Sequence, residues 1–197
     1  MSEPHNKQSG SSSLTQEEVL TLVAKAKEGD EAAFTILYET YVSPIYRFIF
    51  FNIKNKPEAE DLTQNVFLRA FKALPNYTER GVPFPAWLYA IARNATIDYW
   101  KKRRDVLVDN PEELFGGVES GETRADEETA VNLRGEYVRR LLEELSVDQR
   151  EIVTLAFVEE LSHAEIAEIT GKTEEAVRAL KHRALKALRG KIDEKYL

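Results

Sequence analysis

Arg178, Lys181, His182, Arg183 and Lys186 recur at helical spacing near the end of the sequence, on the side of a helix opposite Val177, Leu180, Ala184 and Leu188. Guanidinium forks on such a face can read guanine edges, and ammonium groups can meet phosphates. Upstream, Ala167, Gly171, Val177 and Leu180 have the spacing of a helix-turn-helix. It needs a small residue where two helices cross, Gly for a left-handed turn, and apolar residues to seat the second helix. A second cluster, Asp98-Tyr99-Trp100-Lys101-Lys102-Arg103-Arg104, sets two aromatic rings beside four bases. Stacking plus phosphate attraction is what unpaired DNA requires. Phe84 and Trp87 lie just upstream at helical spacing, and this spacing reads as core.

Other chemistries are poorly supplied. The chain has no Cys and only three His, which excludes thiolate zinc sites and disulfides and argues against a His-based metal site or any cofactor held that way. Its serines sit in an N-terminal polar stretch, at helix caps or singly, so no nucleophile is clustered with charge-stabilising groups as a DNA recombinase would need. The expectation is a protein that is not an enzyme. The formal net charge of −7 would argue against nucleic acid if it were evenly spread. Instead, Asp105 to Glu128 carries nine acids against one base, Arg124, whereas Arg93 to Arg104 carries five bases against one acid and Lys172 to Lys191 seven against two. No apolar run approaches the roughly 18 residues of a membrane span, and the N-terminus lacks a basic-then-apolar signal pattern, so a cytoplasmic protein without membrane insertion is expected.

These clusters need helices to hold them, and the spacing supplies helices throughout: the fold class read here is all-α, two small helical domains joined by a flexible acidic linker. Residues 1–13 are polar and read as a disordered tail. In the first domain, 14–104, a capping box of Thr15 with Glu18 opens a helix that Gly29 ends. A second helix follows through Phe34, Leu37, Tyr38, Tyr41, Ile45, Phe48 and Ile49, with Pro44 expected to kink or interrupt it. A third starts near Pro57 with Ala59, Leu62, Val66, Ala70 and Leu74 inward, and Pro75 closes it. After a loop over Asn76 to Pro83, Pro85 can open a fourth helix with Leu88, Ile91, Ala92, Ala95 and Tyr99 on its apolar stripe.

Residues 105–128 read as the linker. The second domain, 129–197, starts with a helix carrying Val131, Val138, Leu141, Leu142 and Leu145. Ser146 with Gln149 caps the next, which carries Ile152, Val153, Leu155 and Ala156. Ser162 with Glu165 caps a short helix stopped by Gly171, and Thr173 starts the last.

Taken in order, these segments resemble the bacterial RNA polymerase sigma factors of the extracytoplasmic-function (ECF) group. Gly29-Asp30-Glu31-Ala32-Ala33-Phe34 through Tyr46-Arg47 resembles region 2.1, and Glu60-Asp61-Leu62-Thr63-Gln64-Asn65-Val66-Phe67-Leu68 resembles region 2.2. Phe84-Pro85-Ala86-Trp87-Leu88, Ile91-Ala92-Arg93-Asn94 and Asp98 are similar to regions 2.3 and 2.4, and Leu145 through Ala184 to region 4. The resemblance implies that the first domain docks on core RNA polymerase and opens the −10 element, while the second reads the −35 element as duplex. It puts Asp61, Gln64, Asn65 and Arg69 on the polymerase-facing side of the third helix, Asn65 standing where an acidic residue is common. It puts Asn76, Tyr77 and Arg80 in the loop that captures a flipped base of the melted strand, and Arg93, Asn94, Asp98, Trp100, Lys101 and Arg104 along that strand. Thr173, Arg178, Ala179, His182, Arg183 and Lys186 then face the −35 element. An anti-sigma protein is a further partner the resemblance implies.

The alternative is a stand-alone helix-turn-helix regulator whose N-terminal domain senses a ligand or dimerises. It would bind duplex DNA without polymerase, and it leaves the basic aromatic helix end unexplained. For the acidic linker two roles stand open, a spacer and an occupant of the polymerase's basic RNA path.

Overall fold

The computed structural model describes residues 14–78, 82–109, 137–189 and 191, with the backbone alone described over 105–109. Among the described residues there are eight α-helices and no strand. The N-terminal tail, most of the segment read as linker, and Val131 lie outside them.

Helix α1 (Gln16–Lys27) begins where Thr15 and Glu18 form the expected capping box, and Gly29 leaves the helical region at φ 93°. Asp30 caps α2 (Glu31–Ile53), accepting from the Ala33 N–H at 3.1 Å. Pro44 does not interrupt this helix. Leu37 on one side of it and Ile45, Phe48 and Ile49 on the other are all buried to within 1% of exposure, and seating both halves in one core outweighs the single hydrogen bond that Pro removes. Asn55 caps α3 (Lys56–Ala73), which buries Ala59, Val66, Phe67 and Ala70. A 3-10 turn, Leu74–Asn76, follows.

Helix α4 (Phe84–Asp109) runs past the expected domain end, five residues into the segment read as linker. Between Arg104 and Asn110 neither Gly nor Pro occurs, and Pro111 is the first residue that disfavours helix for its predecessor. Residues 137–143 form α5. Ser146 with Gln149 caps α6 (Val147–Val153), which widens into a π turn at Thr154–Val158. The short α7 (His163–Thr170), capped by Ser162 with Glu165, ends at Gly171 with φ 65°, and Thr173 caps α8 (Glu174–Leu188). Ser162→Ala is expected to cost about 1 kcal/mol, read as a lower urea midpoint, because the Glu165 N–H loses its acceptor.

The first four helices build the N-terminal lobe and the last four the C-terminal lobe, and the two are packed together. Helix α7 lies against α4, and α6 with its π turn lies against α2. Ile152, Leu155, Ile166, Ile169 and Val177 join one continuous buried cluster with Phe48, Leu88 and Tyr89, while Phe51 of α2 packs on a second cluster of Leu142, Leu145, Val153, Ala184 and Leu188. Composition gave no sign of this shared core.

Candidate nucleic-acid interface

Helix α8 presents its expected face. Val177 and Ala184 are fully buried and Leu188 nearly so, which turns Arg178, Ala179, His182, Arg183 and Lys186 outward as one exposed stripe. Arg178 pairs with Glu174 at 3.2 Å one turn earlier, a surface contact that a base edge can replace at little cost. The Thr173 hydroxyl accepts the Ala176 N–H at 3.2 Å, so this side chain fixes the start of the helix. Lys181 stands 5.3 Å from the centre of the Phe157 ring, and that half-exposed ring draws it away from the stripe. The helix-turn-helix closes through Gly171, with the Lys172 N–H donating to the Ala167 carbonyl at 3.2 Å.

On α4, burial of Phe84, Leu88, Ala92 and Ala95 leaves two adjacent stripes outward. Trp100 and Arg104 form one, in line with the largely buried Arg93 nearer the start of the helix; Asn94, Asp98 and Lys101 form the other. Trp100 is 41% exposed and meets Tyr99 edge-on, with ring centres 5.3 Å apart. The Arg103 guanidinium donates to the Tyr99 hydroxyl at 2.9 Å. A flat ring beside cations thus reaches the surface, as stacking on an unpaired base requires.

The loop before α4 departs from expectation. Tyr77, expected among the strand contacts, is only 5% exposed. Its ring packs on Phe84 and Trp87 and its hydroxyl donates to the Val82 carbonyl at 2.8 Å, so it shapes the loop from beneath. Phe84 is buried as expected, Asn76 is exposed, and Arg80 lies outside the described residues.

Asp61, Gln64, Asn65 and Arg69 are exposed along the outer face of α3. Arg69 bridges elements: its Nε donates to the Asn65 side-chain oxygen at 2.9 Å and its Nη1 lies 3.6 Å from Asp98 of α4. Leu68, 53% exposed, lies within this polar row, and Phe71, 50% exposed, lies beside it. Sequence reading passed over them, though Leu68 falls one turn after Gln64 on a face otherwise polar, which is the signal that singles it out.

Among the described residues, Arg93 is the one expected strand contact already engaged across the lobes. Its Nε donates to Glu151 of α6 at 2.8 Å, and both side chains are largely buried. Nearby, a single oxygen of Glu159 accepts from the Tyr89 hydroxyl at 2.7 Å and from Arg47 at 3.3 Å, while its other oxygen is buried with no hydrogen-bond partner among the described residues. The π turn produces this pairing. Eight residues separate Glu151 from Glu159, which in a regular helix sets them about 80° apart around the axis, and the wider turn reduces that offset.

Burial raises the Glu151 carboxyl above its ordinary range, against the lowering by Arg93 and Lys172 and with a small push from Asp148. Burial likewise raises Glu159, against Tyr89 and Arg47. A raised acid favours its protonated form in the packed structure, so its stabilising contribution is complete below the ordinary carboxylate range and is lost as pH rises through the raised value. Glu151→Gln, which copies the protonated side chain, is therefore expected to raise the urea midpoint at pH 7, and this gain should shrink toward zero as pH falls through the carboxylate range.

Among the described residues no group of three or more metal-ligating side chains occurs, and no helix is long and apolar enough to cross a membrane.

Comparison with known proteins bears on both lobes. Residues 37–106 match the sigma-70 region 2 family and residues 135–188 match sigma-70 region 4. The ECF RNA polymerase sigma factor BldN of Streptomyces coelicolor is 35% identical over 86% of this chain, which spans 64% of that protein's length. SigD of Mycobacterium tuberculosis is 33% identical over 93% of this chain and 88% of its own. SigW of Bacillus subtilis is 30% identical over 86% and 94%. Among solved structures, CnrH in complex with the cytosolic domain of CnrY shares the fold, with a TM-score of 0.67 at 23% identity over 88% of this chain and 96% of that one. The sigma factor RpoE of Bartonella quintana, solved with the anti-sigma factor NepR, shares it at 0.66 and 22% identity, over 82% and 98%.

Proposed function

The chain belongs to the ECF group of RNA polymerase sigma factors, and from that membership we propose how its surfaces divide the work of starting transcription. The protein binds core RNA polymerase and directs promoter-specific initiation; it makes no bond itself, since polymerase does the chemistry. The outer row of α3, Asp61, Gln64, Asn65 and Arg69, docks on polymerase, with Leu68 supplying apolar contact at the centre of the row. The two outward stripes of α4, Trp100 with Arg104, and Asn94 with Asp98 and Lys101, take the melted −10 strand, and Arg93 joins them when it leaves Glu151. Asn76 and Arg80 are the proposed contacts for a flipped base, and Tyr77, buried on Phe84 and Trp87, braces the chain beside Asn76 from the core side. The α8 stripe reads the −35 duplex: Arg178, His182 and Arg183 at base edges, Ala179 against an apolar base surface, Thr173 and Lys186 toward phosphates.

The observation that carries this reading is the outward basic stripe of the helix-turn-helix on the same chain as the exposed polar and aromatic faces of α3 and α4. The region 2 match also takes the N-terminal lobe away from the alternative, a ligand-sensing or dimerising domain. The net charge of −7 fits a factor that binds promoters only when polymerase holds it, because little affinity for free DNA comes from an acidic chain. A cytoplasmic location follows from the work proposed, and an anti-sigma protein is the expected regulator. The domain limits proposed are those of the sequence reading, 14–104 and 129–197, with α4 reaching into the linker. The deciding experiment is transcription by purified core polymerase from a promoter library, with and without this protein. Promoter-selective transcripts that need the protein are expected; promoter binding by the protein alone, with no effect on polymerase, would favour the stand-alone regulator.

A further inference from the structure

Helix α1 carries none of the proposed DNA or polymerase contacts, yet one of its side chains reaches the chain beside Asn76. Its apolar face, Val19, Val23 and Ala26, is buried, and the helix lies against α2, the 3-10 turn and α4. Lys27, next to Ala26 in the last turn, extends its ammonium group to the Tyr77 carbonyl and donates to it at 2.6 Å. Further bonds hold the same residue. The Tyr77 N–H donates to the Leu74 carbonyl at 3.0 Å, and its hydroxyl donates to the Val82 carbonyl at 2.8 Å. Its ring packs on Phe84 and Trp87, with centres 5.9 and 4.9 Å away.

These anchors differ in origin. Ring, hydroxyl and N–H are held by groups within ten residues of Tyr77, whereas Lys27 lies 50 residues away on another helix. Docking of α1 is already provided by burial of Val19, Val23 and Ala26. Holding a lysine costs rotamer freedom, and an ammonium at a helix end reachable by water ordinarily stays in water. What the bond adds is direction. With N–H, carbonyl, hydroxyl and ring all held, the backbone at Tyr77 keeps one orientation, and Asn76, exposed one residue earlier, presents its amide one way. An amide that discriminates base edges needs that, since hydrogen bonds weaken steeply with misalignment.

We propose that Lys27 is a positioning residue for reading the −10 strand: α1, without touching DNA, fixes Tyr77 and through it Asn76, so that base preference at one −10 position depends on an amine of a neighbouring helix. The brace rests on the geometry alone; its part in strand reading rests on the function proposed above.

Trp87 reports the brace directly. The chain has two tryptophans, so Trp100→Phe leaves Trp87, on which Tyr77 packs, as the single emitter. In that protein Lys27→Met, which keeps the length and loses the donor, should raise acrylamide quenching of Trp87, and Lys27→Arg, which keeps a donor, should not. Circular dichroism checks the helices, and Lys27→Ala replaces Lys27→Met if the latter does not fold. Holoenzyme made with otherwise wild-type protein is then given a promoter library randomised across the −10 element. Lys27→Met should lower base preference at one position about tenfold, the effect of one hydrogen bond, with core affinity, −35 preference and salt dependence unchanged. Lys27→Arg should keep the preference. On an Asn76→Ala background Lys27→Met should add nothing, because the group it positions is gone.

Unchanged quenching would overturn the brace. Raised quenching with unchanged −10 preference would overturn the positioning role, as would an equal loss at every position, a loss in Lys27→Arg as large as in Lys27→Met, or a full further loss on the Asn76→Ala background. A salt dependence shallower by about one charge would make Lys27 a phosphate contact instead. If quenching rises but the wild-type holoenzyme selects no promoter, the brace stands and the function proposed above falls.

Discussion

Reversing Asp61 and Arg69 together, as Asp61→Lys with Arg69→Glu, is expected to abolish binding to core RNA polymerase while leaving the fold almost untouched. Both side chains lie on the outer row of α3, opposite the buried Ala59, Val66 and Ala70 that hold the helix in place. Arg69 is half exposed and its contact with Asp98 spans 3.6 Å at the surface, so exchanging it costs the fold less than about 1 kcal/mol. At an interface the same charges are desolvated against fixed partners, and each mismatch there costs about 2–5 kcal/mol. Two of them lower affinity by about a thousandfold or more, taking 1.4 kcal/mol per tenfold. Helicity and urea midpoint report the fold, and a pull-down with core polymerase reports the interface. Undiminished binding would remove α3 from the docking surface. Leu68→Asp offers an independent check, since it adds a charge to the middle of the row without touching either original charge.

Arg178→Ala and Arg183→Ala should each weaken promoter use by about 1–3 kcal/mol, roughly 5- to 150-fold, and only on promoters that carry the base each arginine reads. The first must release Glu174, a surface pair of little worth, before it reaches the groove. Lys186→Ala should instead lower use of all promoters alike and flatten the salt dependence, as loss of one phosphate contact does. Transcription from a library randomised across the −35 element separates these outcomes. A uniform loss for either arginine would reassign it to phosphate.

Much of this architecture was legible in the chain because its signals are local. Thr15 with Glu18, Ser146 with Gln149 and Ser162 with Glu165 all form the expected capping boxes, since a cap needs only residues three apart and no tertiary partner. Gly171 adopts φ 65° for the same reason, and the inward set of α8 follows from periodicity. The helical face carrying Arg178, His182 and Arg183 was therefore settled by the sequence alone, as was the outward row of Asp61, Gln64, Asn65 and Arg69.

Tertiary structure decided what depends on neighbours distant along the chain. Pro44 reads as a break, yet α2 runs through it because both of its halves are buried in one core. Tyr77 reads as a strand contact, yet Trp87 and Phe84 enclose its ring. Above all, Glu151 and Glu159 look like solvated acids on a charged helix, and no short-range pattern marks them otherwise. They become buried partners of Arg93, Arg47 and Tyr89 only because a π turn realigns them and the two lobes meet. Caps and periodicity are encoded within a few residues, whereas the burial of a charge is a property of whatever packs against it, here 58 to 112 residues away.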